Sequence, residues 1–167
     1  MVSLFDRLNI KIIEFSGRYS PGKALNLGAK LASYNTLLIL SAHSQITKLD
    51  ISYIEDKLKV YKAIFGKQIP IYRGKKINPR YIWSHFKEDH IVNMFSKIEN
   101  RQFLHNAFCF YNRQFLLDNP MPEQYAGKED RYWAIDMVNK GYNYYYDSTH
   151  KINHFYTSNG ATWKGIG

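Results

Sequence analysis

Disulfide pairs, membrane spans and internal repeats are all missing from this 167-residue sequence, and each absence narrows what the chain can be. A single cysteine, Cys109, excludes an internal disulfide framework and fits a reducing compartment. Its neighbours Ala107, Phe108 and Phe110 favour a buried, inert thiol over a nucleophile. Nowhere do about 18 apolar residues run together, and no long apolar run follows the first charges. Neither a membrane span nor a signal peptide is therefore expected, and the chain reads as cytoplasmic. With no repeat, low-complexity segment or linker, one domain should cover residues 1–167. Acidic residues are also scarce: 14 Asp and Glu against 23 Lys and Arg leave a net charge of +9. That charge attracts phosphorylated molecules, polyanions or an anionic membrane face. The densest basic run, Arg73, Lys75, Lys76 and Arg80, has no nucleic-acid-binding signature beside it, so no nucleic-acid partner is expected.

What is present argues for a folded protein. Hydrophobic residues make up 45% of the chain and charged ones 22%, enough to bury a core at this length. The 14 Tyr, beside 10 Phe and 3 Trp, carry a polar edge on an apolar ring and suit clefts as well as cores.

Residues 10–15 alternate like a strand, and 16–22 form a loop. Ser20 before Pro21 is an N-cap pattern, and Ala24, Leu25, Gly28, Leu31 and Ala32 recur at helical spacing, so a helix should cover 21–33. The apolar run 36–40 reads as a strand buried on both faces of a parallel sheet, completing a strand-helix-strand crossover. Ligands collect at the carboxyl ends of such strands, here Ser41, Ala42, His43 and Ser44. A short helix is expected at 50–59, a strand at 60–65 ended by Gly66 to Pro70, and one irregular helix within 72–100 broken by Pro79. A strand at 105–111, a helical turn at 113–118, strands at 142–147 and 151–155 and a loop-like tail from 157 complete the reading.

Glu129 and Asp130 open a helix that Gly141 is placed to end in the left-handed conformation. A helix start holds and orients a carboxylate, which makes a fixed base; it also attracts Asp and Glu merely as helix stabilisers. Trp133 and Tyr132 could serve there as packing or as a stacking platform.

Three of these stretches together resemble a family 2 glycosyltransferase of the GT-A type. Ala24, Asn26, Gly28 and Ala32 match that family's A-x-N-x-G-x-x-x-A helix, followed by a strand whose tip carries Ser41 and His43 where the family has D-x-D. Asn106 to Arg113 resembles the acceptor-side strand and its Arg-containing turn, Gly127 to Gly141 resembles the helix that supplies the base, and Gly66 to Pro70 is similar to a G-R-Q-x-P element. The resemblance implies an α/β, GT-A-like (Rossmann-like), mostly parallel sheet flanked by helices. It also implies N-terminal truncation, because a nucleotide-binding unit of roughly 30 residues should precede Ile10 and only nine residues do.

The implied activity is inverting transfer of a sugar from a nucleotide-diphosphate sugar to a glycan or lipid-linked acceptor in surface polysaccharide synthesis, in the cytoplasm or against a membrane face. The alternative is a degenerate or truncated, inactive binding or scaffold module. Asp130 would be the base and Glu129 would position the acceptor hydroxyl. Asn26, Gly28, Ser41, His43 and His154 would hold the donor diphosphate, and Gln68, Arg131 and Trp133 the acceptor. A divalent cation, Mg or Mn, would sit on His43 and His154; with no carboxylate at residue 41 or 43, the two histidines could instead donate hydrogen bonds to phosphate.

Overall fold

Proline at residue 21 opens helix α1 (Pro21–Leu31), where its missing N–H is one that a helix start leaves unpaired anyway. Ser20 has the extended backbone of an N-cap, but its hydroxyl makes no cap bond and donates instead to Glu123 O at 2.7 Å. The computed structural model describes residues 10, 12–14, 17–76, 81–125 and 127–156. Residues 12–14 belong to no strand, and 11 and 15 lie outside the described residues, as do Pro79, Arg80 and the tail from 157.

Beyond α1 the chain forms β1 (Thr36–Leu40), β2 (Ser44–Lys48), α2 (Ile51–Leu58), β3 (Ala63–Tyr72), β4 (Lys75–Lys76) and a 3₁₀ turn (Tyr81–His85). Then come β5 (His90–Val92), β6 (Phe95–Ser96), β7 (Arg101–Gln102), β8 (Phe108–Asn112), α3 (Arg113–Asp118), α4 (Glu129–Asn139) and β9 (Tyr145–Tyr156). Side-chain caps fix two of the helices: Asp50 Oδ1 accepts from Tyr53 N at 3.0 Å, and Asn112 Oδ1 from Phe115 N at 2.9 Å. Gly141 takes φ +82 just past α4, as its placement suggested.

The main sheet runs β1-β8-β3-β9-β2, with β4 added to β3 and β5 to β9. Only β3 and β9 pair parallel; the other pairings are antiparallel, so the sheet is mixed rather than mostly parallel. The expected crossover over residues 10–41 is not formed. β1 is an edge strand, paired among the described residues with β8 alone, and Leu37 and Ile39 pack on the core whereas Leu38 and Leu40 are 36% and 40% exposed. An unbroken apolar run fits either position, and only its neighbours decide which.

Three further expectations change. The strand at 60–65 extends through the 66–70 segment to Tyr72; Pro70 is tolerated there because β8 pairs only with residues 63–65, which leaves that edge of β3 without a β8 partner. The irregular helix within 72–100 is replaced by the 3₁₀ turn, β5 and the β6-β7 hairpin. The two strands after Gly141 are one 12-residue strand, β9, with an irregularity inside it. There Gly66 opposes Asp147 but the next residue, Lys67, opposes Lys151, so β9 bulges out by several residues. A Cβ on Gly66 would collide with the Phe108 ring and lie 2.7 Å from His150 O, so glycine is needed where the bulge crosses β3.

Strand alternation sorts side chains to two cores. Phe65, Cys109, Tyr111 and Tyr146 join Trp83, Phe103, Trp133 and Met137 on the face covered by α1, α3 and α4. Ile64, Phe108, Phe110 and Ile152 pack with Ile54 and Leu58 under α2. β1 and β2 lie at opposite ends of the strand order yet only residues 41–43 separate them, so the sheet curls until its two ends approach.

Candidate functional site

That curl builds one flank of the site. The turn after β1 is closed by Ser44 N to Ser41 O at 3.2 Å and by Ser44 Oγ to the same oxygen at 2.6 Å. Phe155 N then donates to His43 O at 2.8 Å, which draws the turn onto the end of β9. His43 and His154 consequently meet, with ring centroids 4.6 Å apart, and Ser41 Oγ lies 3.3 Å from His43 Nδ1. His43 is exposed while His154 is only 2% exposed. Gln68 Oε1 can only accept, so His154 Nδ1 donates to it at 2.8 Å, leaving Nε2 as the lone-pair nitrogen. Burial, and then the neighbouring His43, lower the His154 pKa from 6.5 to about 4, so its ring is neutral at pH 7. Gln68 Nε2, in a residue 1% exposed, is a buried donor without a partner among the described residues.

The other flank is the start of α4. Glu129 and Asp130 are 7% and 5% exposed, and Asn106 joins them: its backbone N–H donates to Asp130 Oδ2 at 3.0 Å and its Nδ2 to Glu129 Oε1 at 3.3 Å. Tyr111 OH fixes the Asn106 amide by donating to its Oδ1 at 2.6 Å. Asp130 also accepts from Arg131 N and from Arg131 Nη1, both at 2.8 Å, so three donors converge on it. Arg131 is itself anchored, donating to Leu104 O at 2.9 Å and lying 4.4 Å over the Phe103 ring. Burial, then the charge of Asp130, raise the Glu129 pKa above the usual carboxylate value.

The two flanks meet at residues 105–107. Ser41 N donates to Ala107 O at 3.0 Å, and the residue before Ala107 is the Asn106 that holds both carboxylates. His105 lies between them: Trp83 stands 6.1 Å from His105 and 5.4 Å from His154, centroid to centroid. Ala107 N donates to His105 Nδ1 at 3.2 Å, which places the ring proton on Nε2. Burial above all, then the charges of Arg131, His154 and His85, push the His105 pKa well below 6.5. Because the unfolded chain binds that proton more tightly, the contribution of His105 to stability is full above pH 6.5 and declines as pH falls below it. Denaturant midpoints of the metal-free chain should therefore drop between pH 7.5 and pH 5, and His105→Asn should flatten that drop; an unchanged slope would sink the assignment.

Several sequence-assigned residues stand elsewhere. Both polar atoms of the Asn26 amide are engaged by the Met121 backbone, Nδ2 donating to Met121 O and Oδ1 accepting from Met121 N, each at 2.9 Å, and Gly28 lies on the exposed side of α1. Gln68 lies with the histidine pair rather than with the carboxylates. Trp133 is 1% exposed in the core, with Nε1 donating to Asn119 O at 2.7 Å. His105, Asn106 and Trp83 went unassigned; the polar His105-Asn106 step directly ahead of an apolar strand was the available signal. His43 and His154 are two imidazoles in ring contact, and among the described residues no group of three or more His, Cys, Asp or Glu could hold a metal ion.

The curled mixed sheet with helices on its faces is a mixed α/β fold that solved structures share. Among solved structures 15 chains are similar to this one, including "Crystal structure of GalNAc-T7 with UDP, GalNAc and Mn2+", with a TM-score of 0.62 and 14% identity over 92% of this chain. This chain covers 33% of that one, about a third of its length. No family model and no curated protein matches the sequence. Among the described residues no helix is long and apolar enough to cross a membrane.

Proposed function

We propose that the chain is a glycosyl-transfer domain that moves a sugar from a nucleotide-diphosphate sugar to an acceptor hydroxyl. The observation that carries this is the meeting, at residues 105–107, of a pair of imidazoles with a buried carboxylate pair. Such a reaction needs positive or hydrogen-bonding groups at the leaving diphosphate and a base at the acceptor, held apart from bulk water. Support comes also from the fold, since the similar GalNAc-T7 structure contains UDP and Mn2+.

His43 and His154 would hold a divalent cation that neutralises the leaving diphosphate, with Gln68 orienting His154 through Nδ1. Both cations favour oxygen, but Mn2+ accepts nitrogen donors more readily than Mg2+ does. The orphaned Gln68 Nε2 and the Ser41 hydroxyl are the neighbouring donors for phosphate oxygen. On the other flank Glu129 is the proposed proton acceptor and Asp130 its anchor, because three donors already occupy Asp130 whereas Glu129 accepts one side-chain bond, from Asn106. Displacement by a hydroxyl that Glu129 deprotonates inverts the anomeric centre. The acceptor class we favour is a glycan, free or lipid-linked, with the net charge of +9 drawing the domain to an anionic membrane face.

A second reading, a binding module without turnover, is favoured by one feature: Ser41 supplies no carboxylate to the cation site. Calorimetry with UDP and Mn2+, followed by assay of nucleoside diphosphate release from a panel of nucleotide sugars, separates the two. His43→Ala should weaken UDP–Mn2+ binding at least tenfold, and exchange of Mn2+ for Mg2+ should do the same. Unchanged affinity in the variant would refute the histidine assignment, and binding without turnover on any donor would select the second reading.

A further inference from the structure

Away from the two flanks, a cleft of about 340 Å³ runs between α4 and the loop that precedes it, within the size range of small-molecule sites. Its loop wall is fastened from below. Asn26 grips both backbone groups of Met121 and donates to Glu123 Oε1 at 3.0 Å, Ser20 Oγ holds Glu123 O, and Trp133 Nε1 holds Asn119 O. Gly22 completes the clamp, since a Cβ there would collide with Pro122 O. The helix resemblance singled out Asn26, and its role here is to set this wall. A wall fixed at so many points leaves little ordering entropy for a ligand to overcome.

The lining is aromatic and polar, with almost no charge. Tyr125 and Tyr132 stack with centroids 3.7 Å apart and planes 9° apart. Arg101 lies 5.6 Å over the Tyr132 ring and its Nη1 donates to Tyr132 OH at 3.3 Å. A ring stacked this closely on Tyr125 can receive the guanidinium only on its other face, so Tyr132 is pinned and backs Tyr125. Gln124, Asp136 and Asn139 supply the hydrogen-bonding groups, and Asp136 is the one charged side chain among the lining residues, paired with Lys140 at 2.7 Å. In a chain of net charge +9, a cleft without a lysine or arginine in its lining is not built for phosphate or another anion. A tyrosine face for C–H surfaces, that of Tyr125 backed by Tyr132, with amide and carboxylate groups for hydroxyls, matches a neutral polyol.

Position adds the connection to the site. Tyr132 follows Glu129 by about one helical turn, and Asn139 lies about 10 Å further along the axis. We infer that this cleft is a neutral-glycan subsite that holds the sugar units of the acceptor lying behind the reacting hydroxyl. That placement rests on the transferase reading; the binding itself does not.

The test titrates the whole chain with maltotriose, cellotriose and chitotriose, and with a sulfated heparin disaccharide as anionic control, followed by NMR, with UDP–Mn2+ titrated in parallel. At least one neutral trisaccharide should bind saturably, and both Tyr125→Ala and the exposed Asp136→Ala should weaken it at least tenfold without changing UDP affinity or the thermal midpoint. The subsite is overturned if no neutral trisaccharide saturates, if both variants bind like the parent, or if the sulfated disaccharide competes for the same residues more tightly. Trisaccharide binding without any UDP binding would retain the subsite and remove the transferase reading; the reverse result would do the opposite.

Discussion

Asp130→Ala should lower folding stability by about 3–5 kcal/mol, the usual cost of removing one partner of a buried ion pair. Asp130 and Arg131 are each 5% exposed, and their contact at 2.8 Å is the shortest ion pair that the guanidinium makes. Removing the carboxylate leaves that charge with the Phe103 ring, Leu104 O and the longer Glu99 pair at 3.5 Å. The same substitution frees Asn106 N and Arg131 N, two buried donors that Asp130 now satisfies. Asp130→Asn should cost less, since an amide oxygen can keep one of those bonds. Urea denaturation of both variants at pH 7 measures this. A loss below about 1 kcal/mol for the alanine variant would show that Asp130 does not anchor the start of α4, and the role left to it would be chemical.

The helices were largely legible because their signals are local. Pro21, Asp50, Asn112 and Gly141 each act within a few residues, and α1 to α4 start and stop within a few residues of where these place them. The sheet was not, because pairing is decided by residues far apart in the chain. Nothing within residues 36–40 tells that β8 will cover one edge and no described strand the other, and nothing within 142–155 tells that two short runs are one bulged strand. The stretch before β8 failed for another reason: Trp83, Phe86, Met94 and Phe103 fill the core from irregular backbone, so their spacing has no single period.

The site divides along the same line. The resemblance placed His43 and His154 together at the diphosphate, and the structure does bring the two rings into contact. The division of labour between Glu129 and Asp130 could not be read, because it is imposed from elsewhere. Asn106 reaches both carboxylates, while Leu104 holds the Arg131 guanidinium against only one of them. Two adjacent acidic residues with equal helix-start chemistry thereby acquire different environments.

Glu129→Gln is accordingly expected to reduce transfer by about 10²–10⁴-fold, the usual contribution of a positioned base, while leaving the thermal midpoint near that of the parent. The glutamine Oε1 can still accept from Asn106 Nδ2, so the local fold keeps its bond and loses only the ability to take a proton. The pH profile supplies the independent check. Burial and the charge of Asp130 raise the Glu129 pKa, so the fraction able to act as base grows with pH through a midpoint above the ordinary carboxylate value. The parent should show that rising limb in kcat/KM, and the glutamine variant should lack it at every pH. UDP–Mn2+ affinity should be equal in the two proteins, because Glu129 is joined to the histidine flank through Asn106 and Ala107, and its bond to Asn106 is kept. A variant that transfers at the parent rate would move the base away from Glu129, and one that unfolds would make the side chain a helix stabiliser rather than a participant in the reaction.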